Sequence, residues 1–224
     1  MINKVSNGNT TIQNISLNSG LEDNKIVAHL SILDSLDKPR YIIETALERE
    51  DSSYLVTLDN KSFLLDYKQW NIDQNRPIVL GTSNRTENSQ LQISLNEQVL
   101  VFESNPVASS LRIGFDQFKL STFSEAVSND KTRASGVING NIDLTYDQQK
   151  SLSTAISIDD LEVLGSALGD LNISAQQSSD KFYKTVIKLK SDKNDVLLEG
   201  NVNTVNPEET SVMANFIKLD LSTL

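Results

Sequence analysis

Cysteine is absent from the 224 residues, which excludes a disulfide framework and any thiolate-held metal. Basic residues are in deficit: 20 Lys and Arg stand against 30 Asp and Glu, a formal charge of −10. Phosphate binding needs a basic surface, so no nucleic-acid partner is expected. Docking on an anionic bilayer through charge alone is disfavoured for the same reason. The acidity reads as solubility. No apolar run approaches the roughly 20 residues needed to span a bilayer. The start, Met1 to Asn9, holds no stretch like a signal peptide, so any export signal or anchor is expected outside this sequence. The nine glycines form no phosphate cradle. Gly136 and Gly140 flank strand-like residues, and Gly165 and Gly169 bracket Ser166-Ala167-Leu168, positions that suit turns and bulges.

Sustained helical periodicity is missing too. Only Thr122 to Val127 could form one or two helical turns, too short for a helical layer, so a parallel α/β fold is not expected. What the chain has instead is a period of two. Ile138, Gly140, Ile142, Leu144 and Tyr146 fall on one face of an extended segment, with Asn139, Asn141, Asp143 and Thr145 on the other. The device repeats through Leu152 to Ile158, Leu171 to Ala175, Tyr183 to Leu189, Val196 to Val202, and Ile217, Leu219 and Leu221. It recurs less cleanly earlier, at Ile26 to Ile32, Tyr54 to Leu58, Phe63 to Tyr67, Leu91 to Leu95 and Leu111 to Phe115. Short β-branched runs of this kind suit half-buried antiparallel strands with one wet face. The breaks at 147–150, 177–180, 192–195 and 206–209 are polar and turn-like. At 38% hydrophobic and 22% charged, the composition is that of a folded protein.

Groups that do chemistry are scarce. The sole histidine, His29, shares a strand face with Val27, Ser31 and Leu33 and has no G-x-S-x-G or H-E-x-x-H motif to support it. It reads as a solvated or core-edge residue. Asp159-Asp160 coincides with a change of phase, apolar residues being even-numbered to Ile158 and odd from Leu161, which is the signature of a bulge or tight turn. Glu208-Glu209 follows Pro207 in a loop. Asp192-Lys193-Asn194-Asp195 lacks the glycine and distal glutamate of a calcium loop. The Asn-X-Ser triplets at Asn14 and Asn172 are read as chance. The single Trp70 is read as a core or seam residue, with stacking on a sugar beside Tyr67 as the alternative. No catalytic residue, metal or cofactor is expected.

One hexapeptide echoes. Phe118-Lys119-Leu120-Ser121-Thr122-Phe123 returns about 100 residues later as Leu219-Asp220-Leu221-Ser222-Thr223-Leu224. The echo predicts two continuous β-rich units, 1–130 and 131–224, cut from a longer array, with a boundary in the polar stretch Ser128 to Arg133.

Several segments, taken in order, resemble the TamB family, the translocation and assembly module proteins of the AsmA-like group, in their Bacteroidota form. Ala134-Ser135-Gly136-Val137-Ile138-Asn139-Gly140-Asn141-Ile142-Asp143-Leu144 is similar to the family's strand opening. Ile156-Ser157-Ile158-Asp159-Asp160-Leu161-Glu162-Val163 and Leu168-Gly169-Asp170-Leu171-Asn172-Ile173 resemble the strands that follow it. Tyr67-Lys68-Gln69-Trp70-Asn71 and Phe115 to Thr122 add to the likeness, which covers most of 54–224. The resemblance implies an all-β fold: an elongated antiparallel sheet curled into a taco- or U-shaped trough, or a partly open sandwich, with at most one or two short helices. It also implies a periplasmic protein anchored in the inner membrane that reaches an Omp85-type outer-membrane partner. Such a protein carries phospholipid or assists outer-membrane protein assembly. The absence of cysteine fits a cell-envelope location.

Physics alone requires a one-faced sheet to cover its apolar side by a second sheet or its own curl. Incomplete curling leaves a groove for acyl chains, at about 0.8 kcal/mol per buried CH₂. The expected lining is Ile138, Ile142, Leu144, Leu152, Ile156, Ile158, Leu171, Ile173, Ile187, Leu189, Leu198 and Val202. The alternative is that the same residues fill a closed sandwich core, in an adhesin-like or carbohydrate-binding module.

Overall fold

A computed structural model describes residues 2–7, 10–34, 36–61, 63–81, 84–124, 134–146, 150–179 and 181–220. The strands are β1 (Ile2–Asn7), β2 (Thr10–Glu22), β3 (Lys25–Leu33), β4 (Pro39–Glu50), β5 (Ser53–Leu58), β6 (Leu64–Leu65), β7 (Lys68–Gln69), β8 (Asn71–Gln74) and β9 (Ile78–Gly81). They continue with β10 (Ser89–Leu95), β11 (Gln98–Asn105), β12 (Ser110–Lys119), β13 (Ala134–Thr145), β14 (Ser151–Val163), β15 (Ser166–Gln177), β16 (Phe182–Lys190), β17 (Asp195–Asn203) and β18 (Ser211–Lys218). One helical turn, α1 (Ser121–Ser124), follows β12, and a 3₁₀ turn spans Pro207–Glu209. Strand makes up 72% of the chain and helix 3%, so the expected all-β class holds, and among the described residues no helical layer covers either sheet.

Two antiparallel sheets result, neither closed into a barrel. The N-terminal sheet runs β1-β2-β3-β4-β5-β9, with β6 paired to β4 and β7 paired to β6. The C-terminal sheet runs from β18 through β17, β16, β15, β14, β13, β12, β11 and β10 to β8. Between β5 and β10 the chain changes sheet repeatedly, which staples the layers together at that point. The stretch 128–133, expected to separate two units, lies outside the described residues, and β12 and β13 on either side of it pair directly.

The core forms only where the sheets overlap. Tyr41, Phe63, Leu65, Trp70, Ile72, Ile78, Leu91, Ile93, Leu100, Phe118 and Ile138 are all buried in one cluster. Phe118 is fully buried, its ring centroid 5.6 Å from Trp70 and 4.9 Å from Phe123. Trp70 is 2% exposed and its indole N–H donates to the Leu65 carbonyl at 3.3 Å. Side chains seal the seam. The Gln74 amide accepts from Leu58 N and donates to the Val56 carbonyl. Ser104 Oγ accepts from Val79 N, and the Tyr146 hydroxyl donates to the Val79 carbonyl. These bonds satisfy strand-edge groups that would otherwise be buried without partners. Burial raises the Tyr146 phenol above its ordinary pKa.

Beyond the overlap the C-terminal sheet continues as a wing. From 150 to 220 the buried described residues are Leu161, Asn194 and Asn203. The two asparagines lock turns. Asn194 donates to the Leu168 carbonyl and accepts from Asp220 N. Asn203 accepts from Val205 N and Asn206 N and donates to Glu209.

The phase change expected at Asp159-Asp160 is a bulge. The β14–β15 register slips between Ile158 and Leu161, Asp160 takes φ 53°, and its N–H donates to the Asp170 carboxylate. The last strand departs from its expected phase. Val212, Ala214 and Phe216 face the apolar side, opposite Gly200, Leu198 and Val196. Ile217 is the extra residue of a bulge against Asp195 and Val196, with Lys218 in register opposite Asp195, the first residue of β17. Leu219 follows the strand, and Leu221 lies outside the described residues.

Candidate functional site

Cross-strand register collects the apolar residues into rows. One row is Ile138, Ile158, Leu171, Leu189, Val196 and Phe216, each opposite the next. A second starts at Gly140 and runs through Ile156, Ile173, Ile187 and Leu198 to Ala214. Gly140 is required there: it takes φ +121°, and a Cβ would collide with the Ala155 carbonyl oxygen. A third row, Ile142, Thr154, Ala175, Thr185, Gly200 and Val212, is small in its middle. Beyond it, Leu144 faces Leu152 and Tyr183 faces Val202. All twelve expected lining residues therefore share one face of one sheet. The small row lies between the aliphatic second row and the mixed one beyond it, where Gln177 faces Tyr183, the two flanking rows being about 13 Å apart, four residues at strand rise.

Cover divides the twelve. Ile138 is 7% exposed and belongs to the core, and Ile156 and Ile158 pack against that core. Leu171, Ile173, Ile187, Leu189, Leu198 and Val202 are half-buried, as neighbours on a single layer leave them. Ile142, Leu144 and Leu152 are half-buried as well.

The opposite face carries Asn, Ser, Gln, Lys, Asp and Glu, with Val186, Leu197 and Met213 scattered among them. Two shallow depressions of about 610 and 630 Å³ lie there, over the small side chains Ala155 and Ser174 and rimmed by Lys184 and Lys188.

The other sequence candidates are scattered. His29 Nδ1 lies 3.4 Å from the Glu44 carboxylate on a half-buried stretch of β3 and β4. Glu209 serves the Asn203 turn, also accepting from Asn206. Among the described residues, no three His, Asp or Glu side chains gather as a metal would need. Trp70, being core, offers no platform. Tyr67 is 40% exposed, with Lys38 and Arg40 over its ring at 5.1 and 5.4 Å and its hydroxyl donating to Asp34 at 2.8 Å. The Lys38 backbone N–H, then the Tyr67 hydroxyl, hold the Asp34 carboxyl below its ordinary pKa. Burial and that same bond raise the Tyr67 phenol. This is a turn lock.

Sequence reasoning missed Val212, Ala214 and Phe216. Alternation from Val212 was the available signal, but the bulge at Ile217 broke it. No family model matches the chain, and no curated protein and no solved structure matches it.

Proposed function

We propose that this chain is a non-catalytic segment of a TamB-like protein of the periplasm. In this reading its apolar sheet face holds phospholipid acyl chains on their way to the outer membrane, or supports outer-membrane protein assembly. The full-length protein would be anchored in the inner membrane and would meet an Omp85-type partner. The observation that carries the reading is the apolar ladder, which continues past the two-layered core as a wing with a floor of small residues. Acyl chains laid on such a floor gain about 0.8 kcal/mol per CH₂ removed from water. No catalytic group is needed. The motif order of residues 134–173 adds support.

The test is native mass spectrometry with lipid extraction on protein purified from bacteria. Ile187 and Leu198 pair across β16 and β17 outside the core cluster, so the double variant Ile187→Asp/Leu198→Asp is expected to stay folded and to lose co-purifying phospholipid. Ile156→Asp/Ile158→Asp is expected to unfold, because those side chains abut the core and would bury unpaired charge. A lipid-free wild type that takes up no labelled phospholipid would overturn the proposal.

A further inference from the structure

The outward face of the C-terminal sheet, opposite the apolar ladder, is ordered in rows as well. Gln90, Glu103, Arg112 and Asp143 stand opposite one another across β10, β11, β12 and β13. The row goes on through Ser153 and Gln176 to Lys184 on β16, and every member is polar. The next row on the same face sets Val101, Gly114, Asn141, Ala155, Ser174 and Val186 opposite one another. Apart from Asn141 it is small or apolar.

A hollow lies toward each end of the polar row. The first, of about 520 Å³, is lined by Gln90, Glu103, Arg112 and Asp143, with the short Ser110 and Thr145 beside them. The second, of about 610 Å³, takes Ser153, Gln176 and Lys184 from the polar row and Ala155, Ser174 and Val186 from the small one. Bonding capacity is left unused along this row. Arg112 Nε is 3.5 Å from the Asp143 carboxylate. The side chains of Gln90, Glu103, Gln176 and Lys184 have no partner among the described residues.

We propose that this face binds an extended, uncharged polysaccharide, which crosses β10 to β16 with its hydroxyls on the polar row and its ring faces over the small one. A sugar hydroxyl both donates and accepts, and amide, guanidinium and carboxylate side chains supply both roles along the row. Strands lie about 4.8 Å apart, close to the length of one sugar unit, so successive units meet successive strands. The two rows are about 6.7 Å apart, two residues along a strand, which suits a ring with a polar rim and a C–H face. Charge selects a neutral chain, because Glu103 and Asp143 balance Arg112 and Lys184. A protein partner needs aromatic anchors, which neither row carries. A nucleic acid needs a basic surface, which a charge of −10 denies. A flat, β-linked chain can follow a sheet face, whereas a coiled, α-linked one meets it only in places. The site lies on the face opposite the apolar ladder, so the proposal stands apart from the lipid reading.

Cellohexaose and chitohexaose, both neutral and β-linked, are the probes. Titration calorimetry of the wild-type protein is expected to show binding of at least one of them, with maltohexaose, which coils, about tenfold weaker. NMR amide shifts are expected to change along β10 to β16. Gln90 and Glu103 are exposed, so Gln90→Ala/Glu103→Ala is expected to stay folded. Its binding is expected to be about tenfold weaker, for the loss of two hydrogen bonds, one of them charged. Ala155→Glu, at an exposed position of the small row, sets a bulky charge under the ring face and is expected to abolish binding. Circular dichroism checks the fold of both variants. No heat from either probe at millimolar concentration, tighter binding of a polyuronate, or wild-type affinity in the folded Gln90→Ala/Glu103→Ala variant would overturn the proposal.

Discussion

Residues 39–146 and residues 150–220 build the same kind of antiparallel ladder, yet they bury different things. In the first stretch the buried side chains are mainly aromatic and aliphatic, and they meet across two layers around Phe118 and Trp70. In the second, burial falls on Leu161 and on two asparagines that hold turns. The contrast separates two sources of order. A sandwich is held by apolar area removed from water. A single-layered wing is held by its backbone ladder, by cross-strand pairs and by polar locks at its turns. The wing thus keeps a large apolar face without losing its shape, which is the condition a lipid-carrying surface needs.

Truncation at matched apolar sites should break the comparison most sharply. Phe118→Ala, in the core, is expected to cost about 3–5 kcal/mol, and Ile187→Ala, in the half-buried wing, about 1 kcal/mol, less than the full-burial range. Urea unfolding of the two variants measures this, and equal losses would mean that the wing is covered as fully as the core. Next in size is Gly140→Ala, on the strand where core passes into wing. Its φ of +121° predicts a loss of about 1–3 kcal/mol from backbone strain alone, to which the clash of the added Cβ with the Ala155 carbonyl oxygen adds. Hydrogen exchange should show the opening confined to β13 and β14.

A smaller effect is expected at the wing's polar locks. Asn194→Ala removes the partners of the Leu168 carbonyl and Asp220 N, a cost of about 1–2 kcal/mol. Exchange protection should fall at the ends of β15 and β17 and remain intact around Trp70. The smallest concerns the exposed rim of the sandwich. The Arg85 guanidinium, hydrogen-bonded at 2.6 and 3.0 Å, holds the Glu50 carboxyl below its ordinary 4.5. A depressed carboxylate stabilises the fold above its unfolded pKa, and that contribution fades as pH falls through the folded one. Arg85→Gln should return the Glu50 titration, followed by NMR, to the ordinary range. The stability difference from wild type, present at neutral pH, should vanish in acid. An unmoved Glu50 would show that the pair does not form in solution.

Much of the architecture was legible in the residues because alternation is a local property. Leu152, Ile156 and Ile158, or Ile187 and Leu189, have to share a face in any extended chain. The switch from even to odd at Asp159-Asp160 marked the bulge for the same reason. The last strand was misphased because its alternation is short and a bulge interrupts it at Ile217. The seam was invisible in advance. Gln74, Ser104 and Tyr146 are ordinary polar residues until the fold sets them 16, 25 and 67 positions away from the backbone groups they cap.

The sequence by itself determined the class of the protein and the membership of its apolar face, since a period of two dictates which side chains point together. Only the tertiary structure decided which part of that face is covered. Ile138 and Ile187 carry the same pattern, yet one is sealed in the core and the other is half-open. The difference arises because the covering layer is supplied by residues 41–80, far away in the chain, and their reach ends near β14.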